Sequence, residues 1–120
     1  MAAQRFAHAA EAEVAGLLTF YGLAWEYEPH AFPIAWDEDG VPTEFLRPDF
    51  HVPDLGLWIE VTVLHSRNAC DKHRKVRLFR GAYPGLRLVL IGRQDVRRML
   101  IKEGRGADLG LVLGPAGQTT

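Results

Sequence analysis

The sequence has only one cysteine, Cys70, among its 120 residues. A single cysteine excludes an intrachain disulfide and a thiolate zinc cluster, and it is typical of a protein from a reducing compartment. No apolar run approaches the roughly 18 residues of a membrane span, and the N-terminus lacks a signal-peptide pattern. We therefore expect a cytoplasmic protein without a membrane partner.

An excess of charge of either sign is also lacking, since 14 lysine and arginine residues face 15 aspartate and glutamate residues. The net charge of −1 does not indicate a nucleic-acid partner, so any basic surface must come from local clustering. Basic residues do cluster over 67–80 and again over 93–102, whereas most acidic residues lie between Glu11 and Glu60. This asymmetry is typical either of a face that attracts a polyanion or of solvated helix faces.

The N-terminal stretch from about Gln4 to Tyr21 is predicted to be an amphipathic helix. Its apolar residues recur at helical spacing, proline is absent, and Gly22 follows as a C-terminal stop. Glu11 and Glu13 flank the apolar stripe on opposite sides. Helical geometry alone does not choose between these two glutamates as a functional residue.

Three extended stretches follow, joined by short turns, and they predict an antiparallel meander. The first is a bent strand over 25–36 that contains two prolines, the second runs over 43–52, and the third over 57–64. Alternation in the third strand places Trp58, Glu60, Thr62 and Leu64 on one face, opposite Leu57, Ile59, Val61 and Val63.

The second half of the chain predicts a helix from Asp71 or Lys72 to Ala82, with an apolar stripe on which Lys72 also falls. A buried strand over 87–91, a helix over 94–103, a short strand over 109–113 and a loose tail over 114–120 follow. The order α-β-β-β-α-β-α predicts one α/β (α+β) domain over 1–120, a mixed sheet flanked by helices. The crossover from Ile59 to Ile91 predicts a parallel strand pair.

Asp49 and Glu60 stand eleven positions apart, which allows a turn and a returning strand to bring their carboxylates level. Paired carboxylates suit Mg²⁺ or Mn²⁺, which stabilise charge on phosphate oxygens and make water more acidic. The alternatives are that Asp49 is a turn residue accepting backbone amides and that Glu60 is an edge-strand charge. Glu60 favours a functional site, because it interrupts an otherwise apolar strand.

With Pro48-Asp49, Glu60-Val61-Thr62 and this order of elements, the chain resembles the PD-(D/E)XK nuclease superfamily. Further matches resemble a small bacterial branch of it: Ala10-Glu11-x-Glu13, Phe20-Tyr-Gly22, Trp25-Glu-Tyr-Glu-Pro29 and Lys72-x-x-Lys75. The resemblance covers about Phe6 to Leu100 and implies a restriction-endonuclease-like fold.

The resemblance also implies the metal ligands, which would be Asp49, Glu60 and the carbonyl of Val61. A glutamate of the first helix would add a further metal contact, and its position before Phe20-Tyr-Gly22 favours Glu11, with Glu13 second.

The sequence departs from the superfamily pattern at Thr62, where a lysine is expected. Because some branches recruit this lysine from the following helix, Lys72 is the first candidate and Lys75 the second. We therefore expect a Mg²⁺-dependent endonuclease that acts on DNA, or on RNA as a weaker alternative. The expected phosphate contacts are Arg67, Lys72, Arg74, Lys75 and Arg77. The alternative is a catalytically inactive module that binds nucleic acid or a partner protein. A homodimer or a separate specificity subunit is expected for action on duplex DNA.

Overall fold

The computed structural model describes residues 5–62 and 69–92, together with the isolated positions Asp95 and Arg98. Apart from those two positions, the predicted helix over 94–103 lies outside the described residues. The predicted strand over 109–113 and the predicted tail over 114–120 lie outside them as well.

The described part is a mixed α/β structure with two helices and six strands. In chain order these are α1 (Ala9–Phe20), β1 (Glu26–Tyr27), β2 (Phe32–Trp36), β3 (Pro42–Leu46), β4 (Phe50–Val52), β5 (Leu57–Val61), α2 (Ala69–Ala82) and β6 (Arg87–Ile91). Helix α1 begins later than predicted, and α2 begins two to three residues earlier. Neither helix is long and apolar enough to cross a membrane.

The main sheet has four strands in the order β1-β4-β5-β6. The β1–β4 and β4–β5 pairs are antiparallel, whereas β5 and β6 are parallel. The predicted mixed sheet, with two parallel strands connected by a helical crossover, is therefore confirmed. The strand order makes β5 an interior strand with a neighbour on each side.

The prediction of one bent strand over 25–36 and one strand over 43–52 was incomplete, because each of them is broken into two separate strands. Their inner parts, β2 and β3, pair in a separate two-stranded sheet, and their outer parts, β1 and β4, pair in the main sheet. Pro29 and Pro48, which have no amide hydrogen to donate, lie in the two breaks. Beside Pro29, Glu28 adopts a left-handed φ of 47°. The break leaves Asp49 just outside the ladder, at the start of β4.

Two apolar cores cover the two faces of β5. On one face, Val14 and Leu18 of α1 pack with Phe50 and Ile59. On the other, the β2–β3 hairpin, α2 and β6 enclose a second cluster, formed by Phe32, Ile34, Leu46, Val76, Phe79 and Leu88. A side chain on either face of β5 is thus shielded from water, whether it is apolar or charged.

Candidate functional site

Asp49 and Glu60 lie side by side on neighbouring antiparallel strands. Phe50 pairs with Ile59, so the same register places Asp49, one position before β4, opposite Glu60. Only 5% of Asp49 and 6% of Glu60 is exposed. The turn between β4 and β5 therefore brings two carboxylates together in a site that contains little water.

Asp49 accepts backbone hydrogen bonds through both its side chain and its carbonyl. Its Oδ2 accepts a hydrogen bond from the Val61 amide at 2.8 Å, and its carbonyl accepts one from the Glu28 amide at 2.9 Å. The alternative role of satisfying backbone amides is therefore present in the structure. Burial, and then the negative charge of Glu60, nevertheless raise the pKa of Asp49 to about 8. An ordinary turn aspartate has no such charge beside it.

Glu60 projects from the interior of the sheet, so the alternative of an edge-strand charge is wrong. Its Oε2 lies 3.4 Å from the Lys72 ammonium. Its Oε1 is the one buried side-chain oxygen in the described part of the chain that has no hydrogen-bond partner. Burial raises the pKa of Glu60, and the nearby Lys72 charge opposes this rise. The free oxygen leaves a place beside Asp49 for a donor or a cation.

Lys72 stands in the first turn of α2 and points toward the two carboxylates. Its Nζ donates a hydrogen bond to the Val61 carbonyl at 2.5 Å, in addition to the contact with Glu60. Thr62 continues β5, and its amide donates to the Ile91 carbonyl at 2.8 Å. An ammonium group is thus present beside the carboxylate pair, although position 62 carries threonine.

Glu11 is the third buried carboxylate of the described residues, with 3% of its surface exposed, whereas Glu13 is exposed. Its Oε1 accepts hydrogen bonds from the Tyr27 hydroxyl at 2.6 Å and from the Ala7 amide at 3.2 Å. The negative charge of Glu11 adds to the rise in the pKa of both Asp49 and Glu60. The helical wheel left Glu11 and Glu13 equivalent, and packing turns Glu11 inward.

Tyr27 was not predicted as a functional residue. Burial and its hydrogen bond to Glu11 raise the pKa of the phenol, so the hydroxyl stays protonated and donates a hydrogen bond to the carboxylate. A half-buried tyrosine hydroxyl needs a polar partner. That signal points to some partner for Tyr27 but does not identify Glu11, which lies sixteen positions earlier in the chain.

The other predicted cations lie apart from the carboxylates. Lys75 Nζ is 4.0 Å from Asp71, and Arg74 binds Glu44 at 2.8 Å and Asp71 at 2.9 Å. The Arg74 guanidinium lowers the pKa of Glu44. Arg77 is exposed, and Arg67 lies outside the described residues. Of the two candidate lysines, Lys72 is therefore the one that contacts the carboxylate pair.

No group of three or more His, Cys, Asp or Glu side chains that could hold a metal ion occurs within the described residues. Mg²⁺ commonly takes only one or two carboxylates and completes its shell with water and phosphate oxygens. Asp49 and Glu60 fit that smaller requirement, because their donors are all oxygen and Glu60 Oε1 is free.

Comparisons with protein-family models, with curated proteins and with solved structures found no match to this chain.

Proposed function

We propose that this protein is a metal-dependent endonuclease of restriction-endonuclease-like fold that hydrolyses phosphodiester bonds of DNA. The observation that carries the proposal is the buried Asp49–Glu60 pair with a single lysine beside it. Two adjacent carboxylates out of water are costly unless a proton or a cation compensates them. A site retained for stability alone gains nothing from the second carboxylate.

The ligands for Mg²⁺ or Mn²⁺ in this proposal are Asp49 and Glu60, with Glu11 and the Val61 carbonyl as further candidate contacts. A divalent cation there would supply electrostatic stabilisation of the charge that develops on phosphate oxygens during hydrolysis. Tyr27 and the Ala7 amide orient Glu11 by holding its Oε1.

Lys72 has two parts in the proposed mechanism. Next to Glu60 it neutralises one of the negative charges and so keeps the second carboxylate ionisable. Facing an anionic substrate, its ammonium would orient the attacking water or stabilise the charge of the transition state. Both effects require the position beside Glu60 that Lys72 occupies at 3.4 Å.

The test is plasmid cleavage in the presence of Mg²⁺ by the wild type and by the Asp49→Asn and Glu60→Gln variants. Both substitutions keep the side-chain shape and remove a metal-binding charge, so the rate should fall by about 100-fold or more. Asp54→Asn is the matched control, because Asp54 is an exposed carboxylate in the turn between the same two strands. Equal rates in all four proteins would exclude the proposed site.

One observation favours a second candidate, a catalytically inactive module of the same fold that binds nucleic acid or a protein. The Lys72 ammonium already binds the Val61 carbonyl, which the superfamily uses for the metal, and it could replace the metal permanently. A wild-type protein that binds no Mn²⁺ in calorimetry and cleaves no plasmid would establish this candidate. The homodimer, the specificity subunit, RNA as a substrate and the cytoplasmic location stay predictions.

A further inference from the structure

The basic residues of α2 divide between two faces of the helix, and the charges on one face are already compensated. Arg74 and Lys75 lie on the side that meets the hairpin, where Glu44 and Asp71 bind them. A guanidinium held by two carboxylates has little charge left for an external anion. The sequence predicted Arg74 and Lys75 as phosphate contacts. Because their charges are compensated, they are less suited to bind phosphate than the basic residues on the other face of α2.

The other face of α2 borders a groove of about 420 Å³ on the side of β6, lined by His73, Val76, Arg77, Arg80 and Leu90. Positions 73, 77 and 80 are spaced to share one helix face. Within residues 5–62 and 69–92, no carboxylate pairs with His73 or Arg77. Arg80 donates to the Leu88 carbonyl at 2.9 Å and so stands fixed at the groove wall. We call this surface the α2–β6 groove.

This groove begins next to the carboxylate pair. Leu90 is the register partner of Glu60 across the parallel β5–β6 pair, so the two residues are separated by one strand spacing, about 5 Å. Val76, which lines the groove, lies one helical turn after Lys72 on the same side of α2. An anionic chain that places one phosphate at Lys72 is therefore directed along α2 toward the groove.

We propose that the α2–β6 groove binds the phosphodiester backbone of the DNA strand beside the phosphate that is cleaved. The inference rests on the proposed function. His73, Arg77 and Arg80 span about 10 Å along the helix, which matches about two neighbouring phosphates of one strand. The half-buried side chain of Leu90 contacts a sugar between two of these phosphates.

The test measures the binding of a fluorescein-labelled duplex DNA oligonucleotide by anisotropy, in EDTA and at several salt concentrations. Without metal the measurement reports binding alone, so it is independent of cleavage. Arg77→Gln should weaken binding about 3- to 10-fold, and it should lower the slope of log affinity against log salt by about 0.9. Arg77→Lys keeps the charge and should retain most of this slope.

Arg87→Gln is the matched control, because it removes the same charge at the opposite end of β6, where Arg87 pairs in register with Leu57. Its binding should equal that of the wild type. Equal losses in Arg77→Gln and Arg87→Gln, no loss in either, or no binding by the wild type would overturn the groove. Tighter binding of an RNA duplex of the same sequence would overturn the assignment of the groove to DNA. Binding that depends on Arg77 without any cleavage would support the groove and refute the proposed nuclease.

Discussion

Tyr27 and Glu11 illustrate how one hydrogen bond arranges a candidate ligand. The phenol holds one oxygen of the Glu11 carboxylate at 2.6 Å, and the Ala7 amide binds the same oxygen. With Oε1 held in this way, the Glu11 carboxylate keeps a fixed position, from which its negative charge acts on Asp49 and Glu60. Tyr27 is therefore a positioning residue for the proposed metal site.

Tyr27→Phe is expected to raise the Mg²⁺ concentration that cleavage requires about 10-fold, because outer-shell partners of metal ligands contribute this much to affinity. The rate at saturating Mg²⁺ should change less, and stability should fall by about 1 kcal/mol. A Mg²⁺ titration of the cleavage rate, with urea unfolding beside it, measures both effects.

Tyr83→Phe is the control for this substitution, because it removes a comparable hydroxyl bond of 2.7 Å to the Pro33 carbonyl. It should cost similar stability and leave the Mg²⁺ requirement unchanged. If both variants shift the Mg²⁺ requirement equally, Tyr27 has no specific effect on Glu11.

At the scale of elements, the turn between β4 and β5 determines where Asp49 and Glu60 meet. A 3₁₀ turn, Pro53–Leu55, ends at Gly56, whose φ of 58° and ψ of 39° are left-handed. A β-carbon at Gly56 would meet no heavy atom within 4 Å. Any cost of a substitution at this position is therefore conformational and not steric crowding.

Gly56→Ala is expected to lower the free energy of unfolding by about 1 kcal/mol, the cost of a left-handed L-residue. Gly81→Ala is the matched control: Gly81 lies inside α2 and its β-carbon would also meet nothing. That substitution should raise stability by up to about 1 kcal/mol, since alanine is the better helix former. Urea unfolding measures both, and a stabilising Gly56→Ala would contradict the role of the turn.

The broken strands show where element-scale prediction failed. Pro29, Pro33 and Pro48 predicted bends and edges, and the antiparallel succession of strands was correct. The sequence could not show that the inner parts would leave the main sheet, because this depends on the packing of Phe32 and Leu46 against α2. Strand patterning records which residues prefer burial but not which layer buries them.

At the scale of the whole molecule, the buried carboxylates couple folding to pH. The pKa of Asp49 rises from 3.8 to about 8 in the folded protein. Between these values the folded protein binds more protons than the unfolded chain, so stability falls as pH rises. This loss of stability from ionising Asp49 is absent when the pH is below 3.8 and complete when the pH is above about 8. The raised pKa of Glu60 acts in the same direction.

Asp49→Asn should therefore be more stable than the wild type by about 2 kcal/mol or more near pH 8, and close to it near pH 4. Urea unfolding across this range measures the difference, with Asp54→Asn as the control that keeps the wild-type profile. Near pH 8, Mg²⁺ should stabilise the wild type and not Asp49→Asn, since metal ligands must be deprotonated. Parallel pH profiles for wild type and Asp49→Asn would contradict the raised pKa.

The sequence by itself determined the two helices, the β5 alternation, the parallel crossover to β6 and the spacing that brings Asp49 level with Glu60. These features depend on local periodicity and on chain length between neighbours. Only the tertiary structure decided that Glu11 and not Glu13 is buried, and that Tyr27 donates a hydrogen bond to Glu11. It also decided that Lys72 lies beside Glu60, whereas Arg74 binds Glu44. Each of those outcomes joins residues on elements whose relative placement is set by packing, which no local pattern encodes.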